Sequence, residues 1–156
     1  MEQAAELAYL GLYALQHRGQ EAAGISVVDD EGRGTLQKAH GLVVEGFSDS
    51  TISKLRGRLA LGHVRYSTAG GPGLVNAQPI LVRYHAGDLA LVHNGNITNA
   101  RVLRDQLVQE GALFQTTVDS EVIVHLIARS RATDIDTQIT EALSQLTGAF
   151  SVIITI

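Results

Sequence analysis

The sequence contains no cysteine among its 156 residues. This absence excludes disulfide bonds, thiolate ligands for a metal ion and a cysteine nucleophile supplied by these residues. Lysine and arginine form no cluster and the formal net charge is -4, so nucleic acid is not an expected partner. No apolar run approaches the roughly 18 residues of a membrane span. The acidic N-terminal segment also lacks the pattern of a signal peptide. These absences predict a soluble, cytoplasmic protein with no nucleic-acid or membrane partner.

The composition is that of an ordinary folded domain. Hydrophobic residues make up 45% of the chain, and 156 residues suit one domain with a sizeable core. Only two prolines and as many as sixteen glycines indicate a compact fold with several tight backbone positions. The chain shows no internal repeat and no linker, so we assign residues 1–156 to a single domain.

The order of helical and strand patterns predicts an α+β fold. Strands precede and follow helices in blocks without strict alternation, which favours stacked, largely antiparallel sheets covered by helices. The spacing of apolar residues predicts helices over 2–16, 48–55, 98–110, 118–130 and 134–146. Alternation and β-prone composition predict strands over 22–28, 35–39, 58–66, 80–84, 88–93 and 149–156. The last strand runs to the final residue, so we expect a truncated domain.

Several local features add to these predictions. The first helix is apolar around most of its circumference, which is typical of a helix buried between layers. Gly19 is predicted to supply its left-handed cap. A shift in the alternation near Gly62 suggests a bulge, and residues 67–75 are predicted to form a loop. Ser48 or Asp49 is expected to cap the second helix.

The stretch His93-Asn94-Gly95-Asn96 allows two interpretations. Asn-Gly is a strong hairpin signal because both positions tolerate positive φ, so a simple turn is the plainer interpretation. The alternative is an oxyanion hole, in which the Asn94 amide and the Gly95 N–H both point at one developing negative oxygen.

Arg65 leaves a predicted strand and enters a glycine-rich loop. It could be a surface residue, but its planar guanidinium also matches the two oxygens of a carboxylate. The glycines would let the loop close over such a ligand. A phosphate-binding loop fits poorly, because no Gly-Lys-Ser/Thr follows and no helix begins there.

Asp119 also has a plain and a functional interpretation. With Thr117 as a cap, Asp119 and Glu121 would lie in the first turn of a helix and stabilise its positive end. Asp119 could instead receive the ammonium group of a ligand. Arg65, Asp119 and the Asn94-Gly95 pair taken together describe a site for an amino-acid amide.

The histidines have no convincing metal-ligand spacing, so no metal site is predicted. His63 and His93 are expected to be hydrogen-bonded core residues. His17 and Arg18 fit the end of the first helix, where positive charge meets the negative end of the dipole.

Four stretches, in order along the chain, resemble the glutaminase domain of the amidophosphoribosyltransferases, the glutamine-dependent enzymes that open purine synthesis. They read YLGLYALQHRGQE at 9–21, GHVRYSTAG at 62–70, HNGN at 93–96 and DSEV at 119–122. Glutaminases of the glucosamine-phosphate synthase type look similar at Asn94-Gly95 and at Asp119. The motifs HRGQE and HVRY are nearer to the purine enzyme.

The resemblance implies an N-terminal-nucleophile (Ntn) hydrolase fold, a four-layer αββα sandwich of two stacked antiparallel sheets. In that family an N-terminal cysteine attacks the glutamine amide with its own α-amino group as the base, and an α-amine has a pKa near 8. By matching position, Asn94 and Gly95 would form the oxyanion hole. Arg65 would bind the glutamine α-carboxylate, Asp119 would bind the α-ammonium, and Thr68 would add a loop contact.

The resemblance further implies supporting groups and partners. Arg18 and Gly19 would lie beside the end that carries the nucleophile. Ammonia would pass to a phosphoribosyltransferase domain and react there with phosphoribosyl pyrophosphate. No cofactor is expected in this chain, and magnesium is expected only in the transferase domain. The full-length protein is expected to be a homo-oligomer.

The chain departs from the family pattern at both ends. The first predicted helix begins almost at once, so we expect the cysteine-bearing strand, the last strands and the transferase domain to be missing. Met1 cannot replace the nucleophile, because a thioether has no proton to lose. We therefore expect an incomplete fold and an inactive chain. Two alternatives stay open: a non-catalytic module that binds glutamine or regulates a transferase, and the glutaminase of a related sugar-phosphate amidotransferase.

Overall fold

The computed structural model of the protein describes residues 4–66 and 73–156. They form two three-stranded antiparallel sheets that are stacked face to face, with helices on the outer side of each sheet. This arrangement confirms the α+β fold with four layers that was expected from the sequence. No helix in the described ranges is long and apolar enough to cross a membrane.

The first sheet has strand β1 at its centre. β1 (Ala22–Val28) pairs with β2 (Gly34–His40) on one side and with β3 (Leu59–Arg65) on the other. The predicted hairpin of β1 and β2 is therefore confirmed. One face of β1 carries Ile25 and Val27, both fully buried against the first helix layer.

β3 contains no bulge at Gly62, so that prediction is wrong. Its pairing with β1 continues without interruption from Leu59 to Arg65. Leu61 packs between the two sheets, whereas Val64 packs toward the helices, so both faces of the strand are covered. Apolar residues on both faces produced the apparent shift in alternation. Gly62 itself makes room for Leu12, whose side-chain carbons lie 3.0–3.1 Å from the position that a Cβ would take.

The first helix layer contains α1 (Ala4–Ala14) and two single-turn helices, α2 (Val43–Gly46) and α3 (Asp49–Ile52). Ser48 caps α3 as predicted, because its hydroxyl accepts a hydrogen bond from Thr51 N at 3.3 Å.

The prediction that α1 is buried on most sides is wrong. A sheet lies on one side of α1 only, so Ala5 and Leu12 are buried there, while Leu7 and Leu10 on the outer side are 66% and 57% exposed.

The second sheet is built around its longest strand. β5 (Gly87–Ile97) pairs with β4 (Ile80–Tyr84) and with β6 (Gly148–Thr155). The outer face packs on α4 (Ala100–Gln109), α5 (Glu121–Arg129) and α6 (Ile135–Ser144). All three helices were predicted, although each is shorter than its apolar pattern. β5 is longer than predicted, because it continues past His93 to Ile97.

Asp88 connects the two sheets through its buried carboxylate. It lies near the start of β5 and accepts hydrogen bonds from Gly34 N of the other sheet at 2.8 Å and from Arg83 Nε and Nη2 at 2.5 and 2.9 Å. The hydrogen bonds from Arg83 and Gly34 lower the pKa of Asp88 to about 2. The ionised carboxylate therefore stabilises the contact between the sheets.

We expect the substitution Asp88→Asn to lower the free energy of unfolding by about 1 to 3 kcal/mol at pH 7, the range for losing a hydrogen bond to a buried charged group. A carboxylate with a lowered folded-state pKa stabilises the fold above its unfolded pKa of about 3.9 and loses that contribution as the pH falls toward the folded value. The stability advantage of the wild type should therefore shrink between about pH 4 and pH 2.

Denaturant unfolding at a series of pH values measures this effect. The control is Asp30→Asn, since Asp30 is exposed and forms a surface ion pair with Arg58. A constant difference between wild type and Asp88→Asn over the acidic range would contradict the assignment.

Candidate functional site

A cavity of about 340 Å³ opens beside the end of β3 in the first sheet and β5 in the second. Its wall combines the end of α1, β3, the middle of β5 and the segment that leads into α5. The polar side chains lining it are Arg18, His63, Arg65, Tyr66, Gln78, His93, Asn94 and Asp119. The structure therefore brings Arg65, Asp119, Asn94, Gly95 and Arg18, five of the residues singled out from the sequence, to one place.

Asn94 and Gly95 do not form a hairpin turn. They lie within β5 opposite Ser151 and Phe150 of β6, and the turn between β4 and β5 falls at residues 85–86. Asn94 is exposed at the cavity, and within residues 4–66 and 73–156 its side-chain amide has no hydrogen-bond partner. That amide is thus available to a ligand.

Gly95 is required by both its conformation and its surroundings. Its φ of +138° is one that residues with side chains rarely adopt. A Cβ at this position would lie 2.3 Å from the carbonyl oxygen of Ala149, which is backbone and cannot move aside easily. The glycine allows β6 to approach β5 closely at the point where β5 borders the cavity.

Arg65 is the last residue of β3 and its side chain is buried. Its Nη1 donates to Glu21 Oε1 at 2.9 Å, and its backbone carbonyl accepts from Glu21 N at 3.2 Å. The contact with Glu21 holds the guanidinium in one orientation at the cavity wall. The planar guanidinium has the shape that matches the two oxygens of a carboxylate.

Gly19 adopts an extended conformation, with φ of -173° and ψ of 128°, so the predicted left-handed cap is wrong. A glycine is needed here because the backbone of β3 is so close that a Cβ would lie 2.6 Å from the carbonyl carbon of Arg65. The chain after α1 therefore lies directly on the end of β3. Arg18, one residue earlier, lines the cavity.

Asp119 lies just before α5 and not in its first turn. Its Oδ2 accepts from Ile97 N at 3.1 Å, and its Oδ1 lies 3.5 Å from His93 Nδ1. The carboxylate is thus fixed by the end of β5, so stabilisation of the helix dipole does not account for it. Thr117 is not the helix cap, because Ser120 occupies that position.

The two histidines that line the cavity are held neutral by their surroundings. Burial lowers the pKa of His63 to about 4, and burial also lowers the pKa of His93 despite the nearby Asp119. In the described part of the chain, His63 Nδ1 and His93 Nε2 have no hydrogen-bond partner, so the expectation of hydrogen-bonded core histidines is not met at these two atoms.

Two functional features were not apparent in the sequence. Gln78 precedes β4, and its side-chain amide binds both backbone groups of His93, accepting from N at 2.6 Å and donating to O at 3.1 Å. Asn76 binds the backbone N–H and the side-chain oxygen of Thr117, each at 2.9 Å. An isolated amide in a loop carries no periodic signal, so neither contact could be inferred from sequence pattern.

Thr68, the remaining predicted contact, lies outside the described residues. Among the residues that the structure does describe, no group of three or more His, Asp or Glu side chains could hold a metal ion.

Among the described residues, the formally charged side chains that line the cavity are Arg18, Arg65 and Asp119. The wall presents the guanidinium of Arg65, which is paired with Glu21, and the carboxylate of Asp119. This pattern is complementary to a dipolar ligand that carries a carboxylate and an ammonium group. The exposed Asn94 amide adds a neutral donor for a third polar group.

Two stacked antiparallel sheets between helix layers define the fold class of the Ntn hydrolases. The chain belongs to the glutamine amidotransferase domain family, whose model matches residues 63–155.

Comparison with known proteins finds amidophosphoribosyltransferases that are similar to this chain. The amidophosphoribosyltransferase of Bacillus subtilis (strain 168) is 49% identical over 154 residues, covering 98% of this chain and 32% of the relative. Amidophosphoribosyltransferase 1 of Arabidopsis thaliana, a chloroplastic protein, is 45% identical over 97% of this chain and 27% of its own length.

Solved structures agree with this result. The glutamine phosphoribosylpyrophosphate amidotransferase of B. subtilis, complexed with ADP and GMP, superposes with a TM-score of 0.90 and 46% identity over 99% of this chain and 33% of that one. The resemblance inferred from the four motifs is therefore confirmed. The chain spans about a third of the length of these relatives.

We expect Gly95→Ala to destabilise the protein much more than Gly87→Ala. Both glycines have positive φ, at +138° and +131°, but a Cβ at Gly87 would meet nothing within 4 Å. The backbone conformation alone should cost about 1 to 3 kcal/mol at either site. The overlap with Ala149 should add at least a further ~1 to 3 kcal/mol at Gly95.

The measurement is the free energy of unfolding of the two variants in denaturant. Equal losses would show that β6 does not approach β5 as closely as described.

Proposed function

We propose that this chain is the glutamine-binding part of a glutaminase domain. The observation that carries the proposal is the placement of Arg65, Asp119 and the Asn94-Gly95 pair on the wall of one cavity. Arg65 binds the α-carboxylate of glutamine and Asp119 binds its α-ammonium. The Asn94 amide and the Gly95 N–H face the side-chain carbonyl.

The reaction supported by this arrangement is hydrolysis of glutamine to glutamate and ammonia. A thiolate adds to the amide carbon, the carbonyl oxygen becomes an oxyanion, and the amide nitrogen leaves as ammonia after it gains a proton. Water then releases glutamate from the acyl-enzyme. Preorganised donors such as Asn94 and Gly95 typically lower such a barrier by about 3 to 4 kcal/mol per donor. The thiolate must come from outside these 156 residues.

A second candidate function follows from the absence of cysteine. Without a nucleophile from another segment, the same cavity binds glutamine without cleaving it and acts as a glutamine-sensing or regulatory module. The ligand-binding groups are the same for both functions, so the chemical class of the ligand does not depend on which one applies.

For the whole protein, we propose that the ammonia is used by a phosphoribosyltransferase domain that acts on phosphoribosyl pyrophosphate to form phosphoribosylamine. The similarity to amidophosphoribosyltransferases supports this proposal, because it extends over nearly the full length of this chain. Magnesium in the transferase domain, a homo-oligomeric assembly and a cytoplasmic location stay predictions from the sequence.

Calorimetry with L-glutamine tests the ligand assignment. We expect Asp119→Asn and Arg65→Lys each to weaken binding by at least about tenfold, equivalent to ~1.4 kcal/mol. Asn cannot neutralise the ammonium, and lysine lacks the planar fork that matches a carboxylate.

Matched controls are Asp105→Asn and Arg101→Lys on the exposed side of α4, which should bind like the wild type. Failure of the folded wild-type chain to bind glutamine would overturn the assignment. Activity is tested in a longer protein that places these residues between an N-terminal cysteine and a transferase domain, where glutamine-dependent phosphoribosylamine should form.

A further inference from the structure

The segment from Phe114 to Val118, which leads to Asp119, belongs to no helix or strand. Its backbone groups are bound by two side chains from the neighbouring helices. Glu121 accepts from Gln115 N at 2.7 Å, from Thr116 N at 2.8 Å and from the Thr116 hydroxyl at 2.7 Å. One carboxylate thus holds three donors of the segment.

Arg104 binds the carbonyl groups of the same segment. Its Nη1 donates to Thr116 O at 3.0 Å, and its Nη2 donates to Val118 O at 2.7 Å. Glu121 and Arg104 therefore bind the N–H groups and the carbonyl groups of the segment respectively. The hydrogen bond from Arg104 to Val118 O holds the residue immediately before Asp119.

Glu121 and Arg104 are themselves fixed in place. Glu121 is buried in the first turn of α5, and the guanidinium carbon of Arg104 lies 4.0 Å from the centre of the Phe114 ring. Arg104 Nη2 also approaches Glu121 Oε2 at 3.8 Å. Neither Glu121 nor Arg104 lines the cavity.

The segment held by these two residues determines where the Asp119 carboxylate lies. Thr117, in its middle, is bound by Asn76 from the segment that follows the glycine-rich loop. At its end, Asp119 meets Ile97 N at 3.1 Å. A shift of the backbone at Val118 would move the carboxylate away from this donor and change the cavity wall.

We propose that Glu121 and Arg104 are positioning residues that set how strongly the cavity binds the ammonium group of its amino-acid ligand. This inference rests on the proposed function, since it takes glutamine as the ligand and Asp119 as the ammonium-binding group. According to this proposal, the preference for ligands with an α-amino group depends on two side chains that do not touch the ligand.

Two ligands separate positioning from a general loss of structure. L-glutamine carries the α-ammonium, while glutaramic acid is the same molecule with hydrogen in place of the α-amino group. Displacement of the Asp119 carboxylate weakens binding of L-glutamine only. A general change in the shape of the cavity weakens binding of both ligands. The ratio of the two dissociation constants, measured by calorimetry at pH 7, is the readout.

We expect the wild type to prefer glutamine and Asp119→Asn to lose that preference. In Glu121→Gln one oxygen is replaced by an amide NH2 that faces N–H donors. Glutamine binding should weaken roughly tenfold, as is typical when a supporting residue behind a ligand-binding group is changed, with glutaramic acid binding within about twofold of the wild type. Arg104→Met should act in the same direction, and Arg104→Lys should restore part of the preference.

The control is Glu110→Gln at the end of α4, where the exposed carboxylate forms a surface ion pair with Arg129. If Glu121→Gln does not fold, Thr116→Val removes the hydroxyl that donates to the same carboxylate at 2.7 Å and accepts from Val118 N at 3.2 Å. This variant leaves both backbone bonds to Glu121 in place, so it should give a smaller change in the ratio.

Folded variants with an unchanged ratio, or with equal weakening of both ligands, overturn the positioning role while leaving the proposed function standing. A folded wild type that binds neither ligand overturns both proposals. A wild type that binds the two ligands equally shows that Asp119 does not recognise the ammonium, which also overturns the inference.

Discussion

The pairing of β5 with β6 on both sides of Gly95 is the interaction on which the rest of the cavity depends. Because β5 stays extended to Ile97, it contributes three groups to the site from one rigid element. The backbone of His93 meets Gln78, the Asn94 amide faces the cavity, and the N–H of Ile97 holds the carboxylate of Asp119. If β5 ended at His93, the last two of these groups would lie in a loop.

The two oppositely charged residues assigned to the ligand are each oriented by a partner in the protein. Arg65 is held by Glu21, and Asp119 is held by Ile97. Groups fixed before the ligand arrives lose little conformational entropy when it binds. Burial lowers the pKa of both His63 and His93, which favours their neutral forms, so the charge at the cavity comes chiefly from Arg18, from Arg65 with its partner Glu21, and from Asp119.

The architecture was largely predictable from the sequence, whereas the hydrogen bonds that hold the site residues in place were not. Period-two and helical patterns located every long element, because apolar residues on one face report burial directly. The same logic failed at Gly62, where both faces of β3 are covered, and on α1, where only one side is. Asn94-Gly95 was misleading in isolation, since a positive φ at glycine serves a turn and a close strand contact equally well. Its functional interpretation came from its combination with Arg65 and Asp119.

The strand conformation at Asn94 also bears on the chemical ageing of the protein. In a flexible chain, Asn-Gly is prone to deamidation: the backbone nitrogen of the glycine attacks the asparagine side-chain carbon, ammonia leaves, and the cyclic imide opens to aspartate or isoaspartate. That ring closure needs rotation about the Asn94 backbone, which is opposed by its pairing with Ser151 and by the hold of Gln78 on His93. The lifetime of the intact amide is therefore tied to how seldom β5 and β6 separate.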